Sequence, residues 1–232
     1  MLFRSGRKPD TVAATRAKAV ARLPKAAFLE ASGDLAEAAG CAAVARAHPL
    51  VDVLVNNLGI YDFGVFEDVP DEDWLRFFQV NVMSGVRMSR HYLPGMRARG
   101  WGRVVFVSSE SGVFVPADMI LYGLTKTAQL ALSRGLAETT VGLDVTVNAV
   151  LPGPTWVEGQ EQVMARRAAN AGVSVEEAKK DTFRLRRPTS LIQRYATPAE
   201  VANMICYLCS PAAAATNGAA LRVEGGIIRS IL

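Results

Sequence analysis

Cysteine and histidine are scarce in this chain, with three of the first and two of the second among 232 residues. Cys41, Cys206 and Cys209 cannot build a disulfide framework, and they suit a reducing compartment, the cytoplasm. Cys206 and Cys209 have CxxC spacing, yet they lie in the apolar run VANMICYLC without a second ligand pair, so core packing of a helix accounts for them better than a metal. His48 and His91 stand far apart, and no metal site is expected. Apolar runs long enough to cross a bilayer are lacking, as is the charged, apolar and small-residue order of a signal peptide, so no membrane partner is expected. Nucleic-acid motifs are lacking too. Repeats, low-complexity tracts and interdomain linkers are missing as well, leaving one globular domain over residues 1–232.

What is present is a half-hydrophobic sequence with a formal net charge of +4. The basic excess gathers at Arg166, Arg167, Lys179, Lys180, Arg184, Arg186, Arg187 and Arg194. A solvated helical face explains most of it, with an anionic substrate or phosphate partner as the sharper reading. Strand and helix patterns alternate along the chain: a strand tail over 1–5, a turn at Gly6, Arg7 and Lys8, a helix over 9–23, a strand over 26–30 and a helix over 36–47. Residues 51–55 read as a buried strand that ends at Asn56 and Asn57, and a helix opens at Pro70 with Trp74, Phe77, Phe78, Val82 and Met83 on its apolar face. A strand after Arg103 runs to Ser109, a helix follows from Tyr122 to about 140, and a strand over 143–150 ends at Pro152 and Gly153. Residues 155–195, with mixed periodicity and a basic tail, suit a mobile lid whose walls include Trp156, Phe183, Leu191 and Tyr195. A capping box, Thr197 to Glu200 with Pro198 at the first helical position, opens a helix through Cys209, and a last strand covers 219–223. Alternation at these lengths predicts an α/β fold with a parallel sheet.

The chemistry concentrates in residues 104–126. A β-branched strand delivers Ser108 and Ser109 to a sheet edge, and Tyr122 and Lys126 follow one helical turn apart on one face. A phenol with a reference pKa of roughly 10 is a poor proton shuttle at neutral pH unless a cation favours its charged form. Lys126 is that cation, and Ser109 is placed to bind an oxygen on which charge develops. Asn81 falls within an apolar helix face, where it either satisfies local backbone groups or serves a site.

Ser109, Tyr122-x-x-x-Lys126, Asn56-Asn57-Leu58-Gly59 and Pro152-Gly153-Pro154-Thr155 together resemble the short-chain dehydrogenase/reductase family, in the manner of a 3-oxoacyl-(acyl carrier protein) reductase. The resemblance implies a doubly wound, Rossmann-type parallel sheet and hydride transfer between a nicotinamide and a carbonyl or secondary alcohol. Tyr122 is then the acid or base, Lys126 lowers its pKa and holds the ribose, Ser109 binds the substrate oxygen, and Asn81 completes the proton relay. Asp34 and Leu35 match the pair on adenine, Asn57 and Gly59 lie near the ribose, and Pro152, Gly153 and Thr155 lie near the nicotinamide. Leu58 departs from the family's usual Ala. The turn Ser5-Gly6-Arg7-Lys8 offers two cations and no acid, which favours NADP, with NAD as the alternative cofactor. The family's first strand and glycine-rich turn are not found, so the resemblance implies roughly thirty further residues ahead of residue 1. Their absence predicts that the first strand and the strand at 51–55 lack the neighbour between them. It also raises two rivals: a catalytically silent scaffold that has lost cofactor binding, and a chain that does not fold alone. The resemblance further implies a homodimer or homotetramer; acyl-thioester ketones, sugars, steroids and small alcohols all remain open as substrates.

Overall fold

The computed structural model describes residues 2–6 and 9–231, with side chains from residue 10 onward. Strand β1 (Leu2–Gly6), helix α1 (Pro9–Arg22), β2 (Phe28–Ser32) and α2 (Ala38–Ala47) form the first βαβα run. It continues through β3 (Val53–Asn56), α3 (Asp71–Phe78), α4 (Ser84–Arg99), β4 (Trp101–Val107), α5 (Ile120–Ala137) and β5 (Asp144–Pro152). Helices α6 (Gln160–Ala171) and α7 (Val175–Asp181) precede α8 (Pro198–Cys209) and the last strand, β6 (Ala220–Val223).

All pairings are parallel, in two ladders: β1 with β2, and β3-β4-β5-β6 in that order. Among the described residues no ladder joins β1 to β3. The second ladder is wound on both faces. Val104 and Phe106 of β4, with Val145, Val147, Ala149 and Leu151 of β5, pack against α4 and α5, while Val105 and Val150 turn the other way onto Val201 and Leu208 of α8. Period-two alternation with both faces apolar is what a sheet sandwiched between helix layers demands. Ala31, Cys41 and Val44 join the same core cluster as Met88, Tyr92 and Met96, so α2 and α4 tie the two ladders together.

Several expectations need correction. The strand at β3 is not buried: Val53 and Val55 are 36% and 39% exposed, because among the described residues β3 is an edge strand paired only with β4. Phe78 is exposed rather than core, since it sits one residue, or 100° of helix, from the buried Phe77. Cys206 is exposed too, and only Cys209 is partly covered. Strand β4 starts before Arg103, whose fully buried guanidinium is accepted because the carbonyls of Gly102 and Asp144 take it at 3.0 and 2.8 Å. The capping box is present, with Thr197 accepting from the Glu200 N–H and Glu200 accepting from the Thr197 N–H. Residues 155–195 contain their own small core of Met164, Ala168 and Ala178 with Trp156 and Tyr195.

Candidate active site

The C-terminal ends of β3, β4 and β5 open on one edge of the sheet, where open α/β sheets present their ligand sites. Just beyond β4, Ser109 is in extended conformation and caps a short turn over Glu110–Gly112, accepting from the Ser111 N–H at 3.1 Å. Its hydroxyl donates to the Glu110 carboxylate at 2.6 Å, and that carboxylate in turn accepts from the Arg187 guanidinium at 2.9 Å. All three side chains are buried. Tyr122 shares the cavity wall with Ser109, Glu110 and Arg187.

Helix α5 carries Tyr122, Thr125, Lys126 and Gln129 on one stripe, at the i, i+3, i+4 and i+7 spacing of a helix face. The Lys126 ammonium donates to the Val107 carbonyl at 2.9 Å and to Gln129 at 3.2 Å, and it lies 5.6 Å from the centre of the Tyr122 ring. Burial pulls the Lys126 pKa down to about 8. Burial also pushes the Tyr122 phenol well above its ordinary value, opposed chiefly by the Ser109 hydrogen bond. The dominant influence is loss of water, and the ammonium is directed at two oxygens of its own.

Asn81 sits in a one-turn π-helix, Gln79–Met83, between α3 and α4. Such bulges widen a helix locally and recur at functional sites. The side chain is fully buried, donates to Ile60 O and Thr125 Oγ1 at 2.9 Å each, and accepts from the Ile60 N–H at 2.8 Å. Its backbone carbonyl takes the Gln129 amide. Gln129 thus bridges Lys126 to Asn81, a link that no spacing rule indicated.

A cavity of about 240 Å³ opens onto Ser109 and Tyr122, and Gly153, Thr155, Tyr61, Arg167 and Tyr195 are also in its wall. Gly59 stands behind: a Cβ there would come within 3.4 Å of the Lys126 ammonium and 3.5 Å of Asn81 Oδ1. At Gly153 a Cβ would meet the Glu224 backbone at 2.8 Å, so only glycine passes. The Thr155 hydroxyl bonds Gly153 O at 2.9 Å, Pro152 ends β5, and Asn57 is exposed just past β3. Asp34 and Leu35 stand at the end of β2 on the other ladder: the Asp34 carboxylate accepts from the Ala36 N–H at 3.1 Å, and Leu35 packs on the core. Arg7 lies outside the described residues. Of the apolar wall expected, only Tyr195 lines the cavity. Trp156 and Phe183 pack edge-on against Tyr195, at 5.2 and 5.1 Å between ring centres, while Leu191 is 83% exposed. The spacing reading missed Glu110 and Arg187; the signal available was an acid directly after the serine pair.

Among the described residues no helix is long and apolar enough to cross a membrane, and no cluster of potential metal ligands occurs. The family model described as Enoyl-(Acyl carrier protein) reductase matches residues 9–228. The uncharacterized oxidoreductase YvaG of Bacillus subtilis (strain 168) is 42% identical over 227 residues, covering 98% of this chain and 86% of that protein. YvrD of the same organism, also an uncharacterized oxidoreductase, is 56% identical over 181 residues, covering 78% of this chain and 69% of that protein. Among solved structures, L-sorbose reductase from Gluconobacter frateurii, complexed with NADPH and L-sorbose, superposes with a TM-score of 0.91 at 26% identity, covering 99% of this chain and 87% of that one. With these matches over nearly its whole length, and a serine, a tyrosine and a lysine gathered at the carboxyl edge of its parallel sheet, the chain belongs to the short-chain dehydrogenase/reductase family of nicotinamide-dependent oxidoreductases.

Proposed function

We propose that this enzyme is an NADPH-dependent reductase of small carbonyl compounds, with Tyr122 as the proton donor. The observation that carries the reading is the gathering of Ser109 and Tyr122 on one cavity wall, with Lys126 one turn behind. A carbonyl oxygen lodged at the two hydroxyls accepts from Tyr122, and from Ser109 once the serine proton turns away from the Glu110 carboxylate. Because burial holds the phenol protonated, Tyr122 is poised as an acid at neutral pH, which favours reduction over alcohol oxidation. As its proton leaves, the nearby ammonium offsets the charge left on the phenolate. Asn81 and Gln129 fix that ammonium from behind.

The residues present fit a nicotinamide nucleotide at the site's reactive end, since Gly59 leaves the approach to Lys126 bare and Gly153 and Thr155 border the cavity. When bound, that nucleotide supplies the hydride. Asn57, Gly59 and Lys126 would hold its ribose, Pro152, Gly153 and Thr155 its nicotinamide, Asp34 and Leu35 its adenine, and Arg7 a 2'-phosphate. The preference for NADPH is supported by the two cations without an acid at the first turn and by NADPH in the solved L-sorbose reductase and actinorhodin ketoreductase. A homo-oligomer in the cytoplasm completes the reading, supported by the exposed Leu75, Phe78 and Leu124 on α3 and α5. The silent-scaffold alternative is disfavoured by the assembled Ser109, Tyr122 and Lys126.

The test is nicotinamide oxidation with a panel of ketones, NADPH against NADH, for the wild type and Tyr122→Phe. NADPH should be used in preference, and Tyr122→Phe should lower kcat by about 10²- to 10⁴-fold. Equal use of NADH would overturn the cofactor assignment, and an active Tyr122→Phe would overturn the acid.

A further inference from the structure

Three guanidiniums line the cavity: Arg167 from α6, then Arg186 and Arg187 from the turn that follows α7. Two of them have acids. Arg187 is paired with the buried Glu110 at 2.9 Å, and Arg186 is bound to Asp118. Arg167 differs: among the described residues no carboxylate lies within ion-pair distance of it. Its guanidinium lies 4.5 Å from the Phe63 ring centre, and Arg186 lies 4.8 Å from the same ring. One aromatic face region thus carries two like charges, of which one is compensated. Burial and then the Arg186 charge weaken Arg167's hold on its proton, and Tyr195 and the Asp118 carboxylate, which is bound to Arg186, oppose them only in part.

A half-buried charge without a counter-ion costs stability, and an anion brought by a ligand would remove that cost. The cavity connects this cation to the hydroxyl pair through a row of rings. Tyr61 lies edge-on to Tyr122 at 6.2 Å and to Phe63 at 6.0 Å, and Phe63 carries Arg167. The space is small. At about 240 Å³ it lies below the ~300 Å³ at which drug-sized pockets begin. Steroids exceed it; a short oxo acid does not.

We propose that Arg167 anchors the carboxylate of a short oxo acid, or of the corresponding hydroxy acid, whose carbonyl or carbinol carbon reaches Ser109 and Tyr122. This rests on the carbonyl-reductase reading and deepens it. A guanidinium donates to carboxylate and phosphate alike, and a single cation without an ion pair matches the one charge of a carboxylate better than the near-double charge of a phosphate ester.

The test compares kcat/KM for acetoacetate and levulinate with that for their methyl esters, in the wild type, Arg167→Gln and Arg167→Lys. A charge-assisted contact of this kind gives the wild type about a tenfold to hundredfold preference for the acid over the ester. The ratio should collapse toward one in Arg167→Gln and be partly kept in Arg167→Lys, with thermal melts reporting that both variants are folded. An acid-to-ester ratio near one in the wild type, or one that survives in Arg167→Gln, overturns the proposal. So does a preference for acetonyl phosphate over both acids. Calorimetry of levulinate on Tyr122→Phe separates the two readings, because binding needs no turnover. Binding there that Tyr122→Phe/Arg167→Gln abolishes supports the anchor even where no ketone is reduced, whereas reduction of acids and esters at equal rates sinks the anchor and leaves the reductase standing.

Discussion

Lys126 is 4% exposed, and its ammonium donates to the Val107 carbonyl and to Gln129. Its folded-state pKa of about 8 lies below the ordinary 10.5, so between those values the unfolded chain binds the extra proton and stability rises with pH. Below about 8 both states are charged and the contribution is flat. The raised thiols of Cys41 and Cys209 and the raised Tyr122 phenol act in the opposite sense above their ordinary values. We therefore expect the rise in the difference between wild type and Lys126→Met, followed by urea unfolding from pH 7 to 10.5; a flat difference would contradict the buried ammonium. Glu110 makes a second prediction at this scale. Glu110→Gln leaves the Arg187 guanidinium buried without its carboxylate and should cost about 3 kcal/mol in denaturant unfolding, part of which Arg187→Met in the same chain should restore. The contrast between these residues shows what a sequence reveals. Tyr122 and Lys126 are four apart on one helix, and their pairing follows from helical geometry alone. Glu110 and Arg187 are 77 positions apart, and only the folding of residues 155–195 back over the β4 edge brings them together.

Elements were legible where their ends carry their own chemistry. Thr197, Pro198 and Glu200 mark the start of α8 locally, and the reciprocal bonds are present. Thr197→Ala should lower stability by about 1 kcal/mol, read as a drop in Tm, while leaving the cavity untouched; a neutral effect would mean that α8 is held by packing alone. Elements were misread where burial depends on a neighbour. The run Val51 to Val55 has the composition of a buried strand, but sequence cannot say which side of it another strand will occupy. The π-turn at Gln79–Met83 was likewise invisible, since its five residues carry no helix breaker; it is stabilised by Asn81's bonds to Ile60 and Thr125, which lie elsewhere in the chain. Removing one residue from this turn, by deletion of Val80, should restore α-helical pitch, rotate Asn81 by about 100° and abolish turnover; circular dichroism would report that helix content is kept.

For the whole molecule, the division into two ladders sets a gradient of local stability. Among the described residues β4 and β5 are paired on both sides and packed on both faces, whereas β1 and β2 pair only with each other and β3 pairs only with β4. Amide exchange should therefore be slowest in β4 and β5, and faster in β1, β2 and β3, with a break between the ladders. Uniform protection across all six strands would mean that they open as one unit.

Residues 155–195 leave β5 and return to α8 through a narrow neck: Thr155 bridges Ala196, the Trp156 N–H donates to Ala196 O, and the Ala196 N–H donates to Pro154 O, both at 2.9 Å. The forty-odd residues beyond that clasp enclose a cluster of their own, and they supply Gln160, Arg167, Thr182, Arg186, Arg187 and Tyr195 to the cavity. A segment fastened at its root and self-filled at its centre is a cassette. Exchanged between relatives at the clasp, it would carry substrate preference with it, while the hydroxyl pair, anchored on β4 and α5, stayed where it was.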